Sequence, residues 1–217
     1  MNYLNHLLVA LSMIGTNYAL AQGLDKNGQI ISSEAAYISK NGAIGLSGVS
    51  LYGQFQLTSN SLGQSYQGGI IIYIFQSGDP GYVSGQVHGL IASTEDVGYT
   101  GWGCSGVTTS ATGTALGTGS TNTASILAAC VTAGVPAKLC FDHRGGGYSD
   151  WYLPSKDELN KMYLNRSYLS NISQYIYWSS SETSSTSAWR QNQTNGNGSQ
   201  QSFGKTSNSH IRAMRTF

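Results

Sequence analysis

Asp150-Trp151-Tyr152-Leu153-Pro154-Ser155-Lys156-Asp157-Glu158-Leu159 joins the end of an extended segment to the start of a helix. Ser155 and Glu158 stand three apart, the spacing of a capping box. The serine hydroxyl accepts from the Glu158 backbone N–H, and the glutamate carboxylate accepts from the N–H of Ser155. Pro154 keeps the residues before the cap out of helix, and Asp157 adds negative charge to the first turn. Leu159, Met162 and Tyr163 then recur at three-and-four spacing, which predicts a helix from Lys156 to about Asn165 with one buried stripe.

Upstream of this helix, Gln67-Gly68-Gly69-Ile70-Ile71-Ile72-Tyr73-Ile74-Phe75 is a short apolar run bounded by glycines, predicted as a strand buried on both faces. Val87 to Ser93 is its expected hairpin partner, across the turn Ser77-Gly78-Asp79-Pro80-Gly81. A Gly/Ser/Thr-rich loop follows from Gly98 to Ser120, with Tyr99 and Trp102 as its large anchors, longer than a compact domain tolerates without a function or a covering role. A short helix is expected at 124–130, and Pro136 to Cys140 adds a turn. Four short strands are expected downstream, at Tyr175–Trp178, Ala188–Gln191, Gln200–Phe203 and Ile211–Arg215. Asn195-Gly196-Asn197-Gly198 is a hairpin turn between the middle two. Hairpin, two short-to-medium helices and a C-terminal antiparallel meander together predict an α+β fold with helices on a sheet.

Asp150 to Ser155, Tyr177-Trp178-Ser179-Ser180-Ser181-Glu182, Ala188-Trp189 and Ile211-Arg212-Ala213-Met214-Arg215 resemble the C-terminal domain family of the Legionella collagen-like adhesin. The resemblance covers roughly residues 66–217. It implies an irregular, loop-rich domain distantly similar to C-type lectin and formylglycine-generating folds. It also implies sulfated glycosaminoglycans as partners and a homotrimeric assembly. The chain has no Gly-X-Y repeat, so the collagen stalk of that adhesin is absent.

Residues 1–21 read as a secretory leader. Leu7 to Ile14 is an apolar run, and Ala19-Leu20-Ala21 supplies the small residues of a cleavage site, although no Lys or Arg precedes the run. The run is far shorter than the ~20 residues of a membrane span. Residues 22–64 lack helical periodicity and are expected as an extended arm or irregular strands, leaving 65–217 as the main domain.

Only 10% of the 217 residues are charged, and 28 glycines and 14 tyrosines take much of their place. Ser, Thr, Asn, Gln and Tyr therefore make up the surface, a chemistry suited to carbohydrate hydroxyls and equally to many secreted β-rich proteins. A net charge of +1 together with export disfavours nucleic acid. Three cysteines, Cys104, Cys130 and Cys140, allow one intrachain bridge. The nearest pair, Cys130 and Cys140, lies across a Gly134/Pro136 turn and is the expected disulfide. No C-x-x-C or H-x-x-x-H spacing supports zinc.

Catalysis finds little footing in the sequence. His88, His143, His210 and the run Ser179 to Glu182 supply candidate groups, but no nucleophile elbow, HExxH or phosphate loop is present. The serines are expected to bind backbone, and Glu182 to pair with Arg190 or Arg212. Asp142 and Asp150 flank a glycine-rich loop, yet the triplets of calcium-dependent sugar binding are missing, and helix capping accounts for Asp157 and Glu158. No cofactor or metal is expected, and the chain reads as a non-enzyme.

Charge placement carries the functional expectation. From residue 138 onward, nine basic side chains face five acidic ones, and none of the acids lies beyond Glu182. Arg190, Lys205, Arg212 and Arg215, with Lys156 and Lys161 beside them, form an expected cationic edge for sulfated polysaccharide. The alternative is a structural envelope or matrix subunit that assembles through residues 22–64.

Overall fold

A computed structural model describes residue 57 and residues 61–170, 172, 175–194 and 196–217, together with the backbone of the strands between residues 6 and 46. The chain divides into two compact units, Met1–Gln56 and Leu57–Phe217. In the first, β1 (His6–Met13), β2 (Thr16–Leu24), β3 (Ile30–Ile38) and β4 (Ile44–Leu46) form one antiparallel sheet in chain order. Residues expected as leader and arm thus contribute regular strands, with Leu8 opposite Ala21 and Ala21 opposite Glu34.

The second unit is an α+β fold built on two sheets. One has the order β13-β7-β6-β5, from β5 (Ser65–Tyr66), β6 (Gly69–Ile74), β7 (Gly89–Ser93) and β13 (Met214–Thr216). The other has the order β11-β10-β9-β12-β8, from β8 (Gly98–Gly101), β9 (Ile176–Ser184), β10 (Ser187–Asn192), β11 (Gln200–Gly204) and β12 (Asn208–Ile211). Three α-helices complete it: α1 (Gly119–Ala129), α2 (Pro136–Asp142) and α3 (Lys156–Leu164).

The expected hairpin is β6–β7, and its continuous apolar sequence follows from burial on both faces. Ile71, Ile74 and Ile91 join a cluster with Cys140, Trp151, Leu153 and Ile211. Ile72, Leu90 and Ala92 join a second with Tyr152, Leu159, Met162, Tyr177 and Met214. A third cluster, with Trp102, Ile126, Cys130, Trp178 and Ala188, lies on the far side of the second sheet. Adjacent residues Tyr177 and Trp178 therefore point into different cores, as alternation along β9 requires.

Helix α3 packs against β9, β10 and β6, and its capping box is formed. Ser155 Oγ accepts from Glu158 N at 3.3 Å, and Glu158 Oε2 accepts from Ser155 N at 2.7 Å. The same carboxylate accepts from Gly117 N at 2.9 Å and from Tyr152 Oη at 3.3 Å. A Cβ on Gly119 would sit 2.2 Å from Glu158 Oε2, so only glycine lets α1 begin against this cap.

The C-terminal strands depart from a simple meander. β9, β10 and β11 are successive antiparallel neighbours, but β12 enters between β9 and β8, parallel to β9 at His210↔Tyr177. The single strand expected at Ile211–Arg215 is two. β12 ends at Ile211, Arg212 and Ala213 cross over, and β13 pairs with β7 in the other sheet. Of the predicted Asn195–Gly198 turn, Asn195 lies outside the described residues; Gly196 has φ +77°, and Asn197 N donates to Thr194 O at 3.0 Å.

The disulfide is Cys104–Cys130, not Cys130–Cys140. Helix α2 turns Cys140 into the core beside Ile71 and Trp151, where it is a buried free thiol. Cys130 instead caps the C-terminus of α1 and lies next to the long loop that carries Cys104. That loop has a covering role: Trp102, Ala111 and Leu116 are buried beneath it. Among the described residues no helix is long and apolar enough to cross a membrane.

Candidate functional site

The run Ser179 to Glu182 is a fastening point for the long loop. Ser179 Oγ donates to Trp189 O at 2.9 Å, Ser180 Oγ accepts from Asn122 Nδ2 at 3.2 Å, and Ser181 Oγ donates to Gly113 O at 2.7 Å. Glu182 pairs with Lys205, not with Arg190 or Arg212. Both carboxylate oxygens also accept from Thr109 N, at 2.9 and 3.1 Å. The Lys205 ammonium donates to Val107 O at 3.0 Å and lies 4.4 Å from the centre of the Trp102 ring. The three hydroxyls and the Glu182 carboxylate all take part in holding the loop.

Three of the residues expected on a cationic edge are interior. Lys205, Arg212 and Arg215 are 0%, 2% and 5% exposed. Simple strand alternation fails for Arg212 because it occupies the crossover between the sheets. There its guanidinium donates to Asp96 Oδ1 at 2.8 Å and to the carbonyls of Ser93 and Thr94 at 3.0 and 2.9 Å. Arg215 forms a bidentate pair with Asp150 at 2.7 and 2.9 Å, donates to Gln67 Oε1, and stacks 3.9 Å from the Tyr148 ring centre. The Arg215 hydrogen bonds hold the Asp150 carboxyl below its usual range. These arginines are themselves buried and spent on carboxylates and backbone carbonyls, so they are not open to a polysaccharide.

The other three are partly exposed, each seated on an aromatic ring. Lys156 lies 4.9 Å from the Trp189 ring centre, Arg190 3.3 Å from that of Phe203, and Lys161 4.0 Å from that of Tyr73. Trp189 and Gln191 turn toward α3, where Gln191 Nε2 donates to Asn160 Oδ1 at 2.8 Å. Ala188 and Arg190 turn the other way, toward Trp178 and Phe203. The β10–β11 ribbon thus carries a cation–aromatic pair on each side, next to the outer strand β11 with Gln201, Ser202 and Phe203 exposed. Burial lowers the Arg190 pKa from its ordinary value. Lys161 belongs elsewhere, over β6, near the Tyr73 hydroxyl that donates to Asp79 at 2.6 Å.

The tryptophans divide as their hydrogen bonds dictate. Trp102, Trp151 and Trp178 are 1%, 1% and 0% exposed, and their ring N–H groups donate to the carbonyls of Ser179, Gly145 and Thr100. Asp142 and Asp150, which flank the glycine loop, are taken by Lys138 and Arg215. Among the described residues no group of three His, Cys, Asp or Glu side chains converges on a common point.

One cluster escaped the sequence reading. His210 Nδ1 lies 2.7 Å from Asp96 Oδ2, which also accepts from Tyr177 Oη at 3.1 Å, and the Tyr99 and Tyr175 rings flank the imidazole. β12 places His210 between Tyr177 of β9 and Tyr99 of β8, and nothing local encodes either pairing.

The chain matches no family model, and no curated protein matches its sequence.

Proposed function

We propose that Leu57–Phe217 is a non-enzymatic, secreted or cell-surface module that binds anionic, sulfated polysaccharide in the manner of an adhesin. The observation that carries this reading is the β10–β11 ribbon, with Lys156 on Trp189 at one side and Arg190 on Phe203 at the other. A cation resting on a ring is held in place and partly desolvated, which strengthens its attraction to a sulfate. Gln201 and Ser202 between them offer hydrogen bonds to hydroxyls; no acidic side chain follows Glu182 in the sequence, and Asp157 Oδ1 stands 3.8 Å from Lys156 Nζ. The resemblance to the adhesin domain points to the same ligand, and the Cys104–Cys130 bridge suits an oxidising compartment. Export with cleavage after Ala21 would remove β1 and most of β2, and N-terminal sequencing of the secreted chain tests that step.

Binding to immobilised heparin-like polysaccharide across a salt series tests the site. Wild-type binding should fall steeply with salt, and Lys156→Ser combined with Arg190→Ser should abolish it while circular dichroism stays unchanged. Binding that ignores both salt and the substitutions would overturn the proposal.

A second reading, self-assembly through residues 22–64, draws on β3 and β4, of which β4 is outermost in its sheet. It requires the full chain to be a trimer or larger species by light scattering, and a monomer at every concentration would remove it.

A further inference from the structure

Tyr99 of β8, His210 of β12 and Tyr177 of β9 stand in register across three neighbouring strands. Tyr177 is buried, but Tyr99 is 60% exposed and Tyr175, just before β9, is 39% exposed. The Tyr175 ring stacks on His210 at 4.0 Å between centroids and 21° between planes, and the Tyr99 ring meets the imidazole at 4.8 Å. The histidine is fixed from behind. Asp96 Oδ2 accepts from Tyr177 Oη at 3.1 Å and lies 2.7 Å from His210 Nδ1, so Asp96 engages Nδ1 and not Nε2. No hydrogen bond to Nε2 is made among the described residues. The Arg212 guanidinium on Asp96 Oδ1 balances the carboxylate charge.

We propose that Tyr99, His210 and Tyr175 form a binding site for an uncharged hexopyranose unit of a glycan. The axial C–H groups of a pyranose carry partial positive charge and suit the negative face of an exposed aromatic ring. Its hydroxyls suit the imidazole Nε2 and the two phenols. The rings are held in place before the sugar arrives, so little side-chain entropy is lost on binding. Arg212 is buried and spent on Asp96, so it offers a sulfate or carboxylate no contact, which separates this site from the cationic β10–β11 ribbon.

The test is titration of the full chain at neutral pH with uncharged hexasaccharides of glucose, mannose or galactose, followed by calorimetry and saturation-transfer NMR. Saturable binding to at least one is expected, weakened about tenfold by Tyr99→Ala or by Tyr175→Ala. The Tyr168→Ala control, another exposed tyrosine, should leave it unchanged. Tyr99 protrudes from an outer strand, so Tyr99→Ala keeps the test valid if Tyr175→Ala disturbs folding by near-UV circular dichroism. Failure of every hexasaccharide to bind, or binding indifferent to both substitutions, overturns the proposal. Lys156→Ser with Arg190→Ser should spare this binding, so the two glycan proposals stand or fall separately.

Discussion

Lys205 and Glu182 form an ion pair closed to solvent, with their side chains 0% and 1% exposed. Between them they hold the backbone of Val107 and Thr109, so one charge pair anchors the loop that roofs the Trp102 core. Removing one partner strands the other charge in the interior. Lys205→Met is expected to cost about 3–5 kcal/mol. The double variant Lys205→Met, Glu182→Leu should lose less, since no lone charge remains. Urea denaturation of the two proteins measures the difference; equal losses would mean the pairing itself carries little.

The Asp150–Arg215 pair makes stability depend on pH in a stated direction. Hydrogen bonds from Arg215 hold the Asp150 carboxyl below its ordinary 3.8. A depressed carboxylate contributes stability above the unfolded-state value, and the contribution disappears as pH falls through the folded-state one. The Asp150 side chain is 57% exposed, so solvent screens the pair and the effect is modest. Asp150→Asn should lower the melting temperature at pH 7, and the gap from wild type should close below about pH 4. A gap that persists to pH 2 would assign the loss to packing.

Thiol chemistry distinguishes the two possible bridges. Peptide mapping without reductant should recover Cys104 linked to Cys130, and Cys140→Ser should leave that link intact. Burial pushes the Cys140 thiol well above its ordinary range, so alkylation should require denaturant. Reducing the bridge, which spans 26 residues, is expected to cost about 3–4 kcal/mol.

Gly68 has φ +87°, and a Cβ there would lie 2.2 Å from the Gly145 carbonyl carbon. Gly68→Ala should therefore cost at least about 1–2 kcal/mol from backbone conformation alone, plus the displacement of the Gly145–Gly147 turn. Thermal melts test this, with Gly78→Ala as comparison, since its Cβ would meet nothing within 4 Å.

The fold was legible where it is written locally. The capping box at Ser155 and Glu158 placed the start of α3, and the apolar run before Phe75 gave β6 with its partner. Pairings between distant segments were not legible. Nothing near His210 says that β12 lies parallel to β9, nor does anything near Arg212 say that the chain changes sheets there. The cationic edge depended on those pairings. Counting charge along the sequence found the basic residues but not the carboxylates at Asp96, Asp150 and Glu182 that draw Arg212, Arg215 and Lys205 inward. Lys156 and Arg190 kept their partial exposure because their partners are rings on a ribbon edge. The Tyr99–His210–Tyr175 cluster, assembled from three separate segments, left no sequence signature.

The crossover at Arg212 and Ala213 also sets when the domain can finish folding. β13 pairs Met214 with Ala92 and Arg215 with Ile91, while β12, a few residues earlier, fills the slot between β8 and β9. Both sheets thus wait for residues 208–217, and the β12–β8 and β13–β7 closures each span more than a hundred residues of intervening sequence. Such non-local closure is slow compared with hairpin formation. A nascent chain whose residues 208–217 have not yet emerged can form β6–β7 and α3 but can complete neither sheet, so its apolar strand edges stay open to other chains until that segment is free.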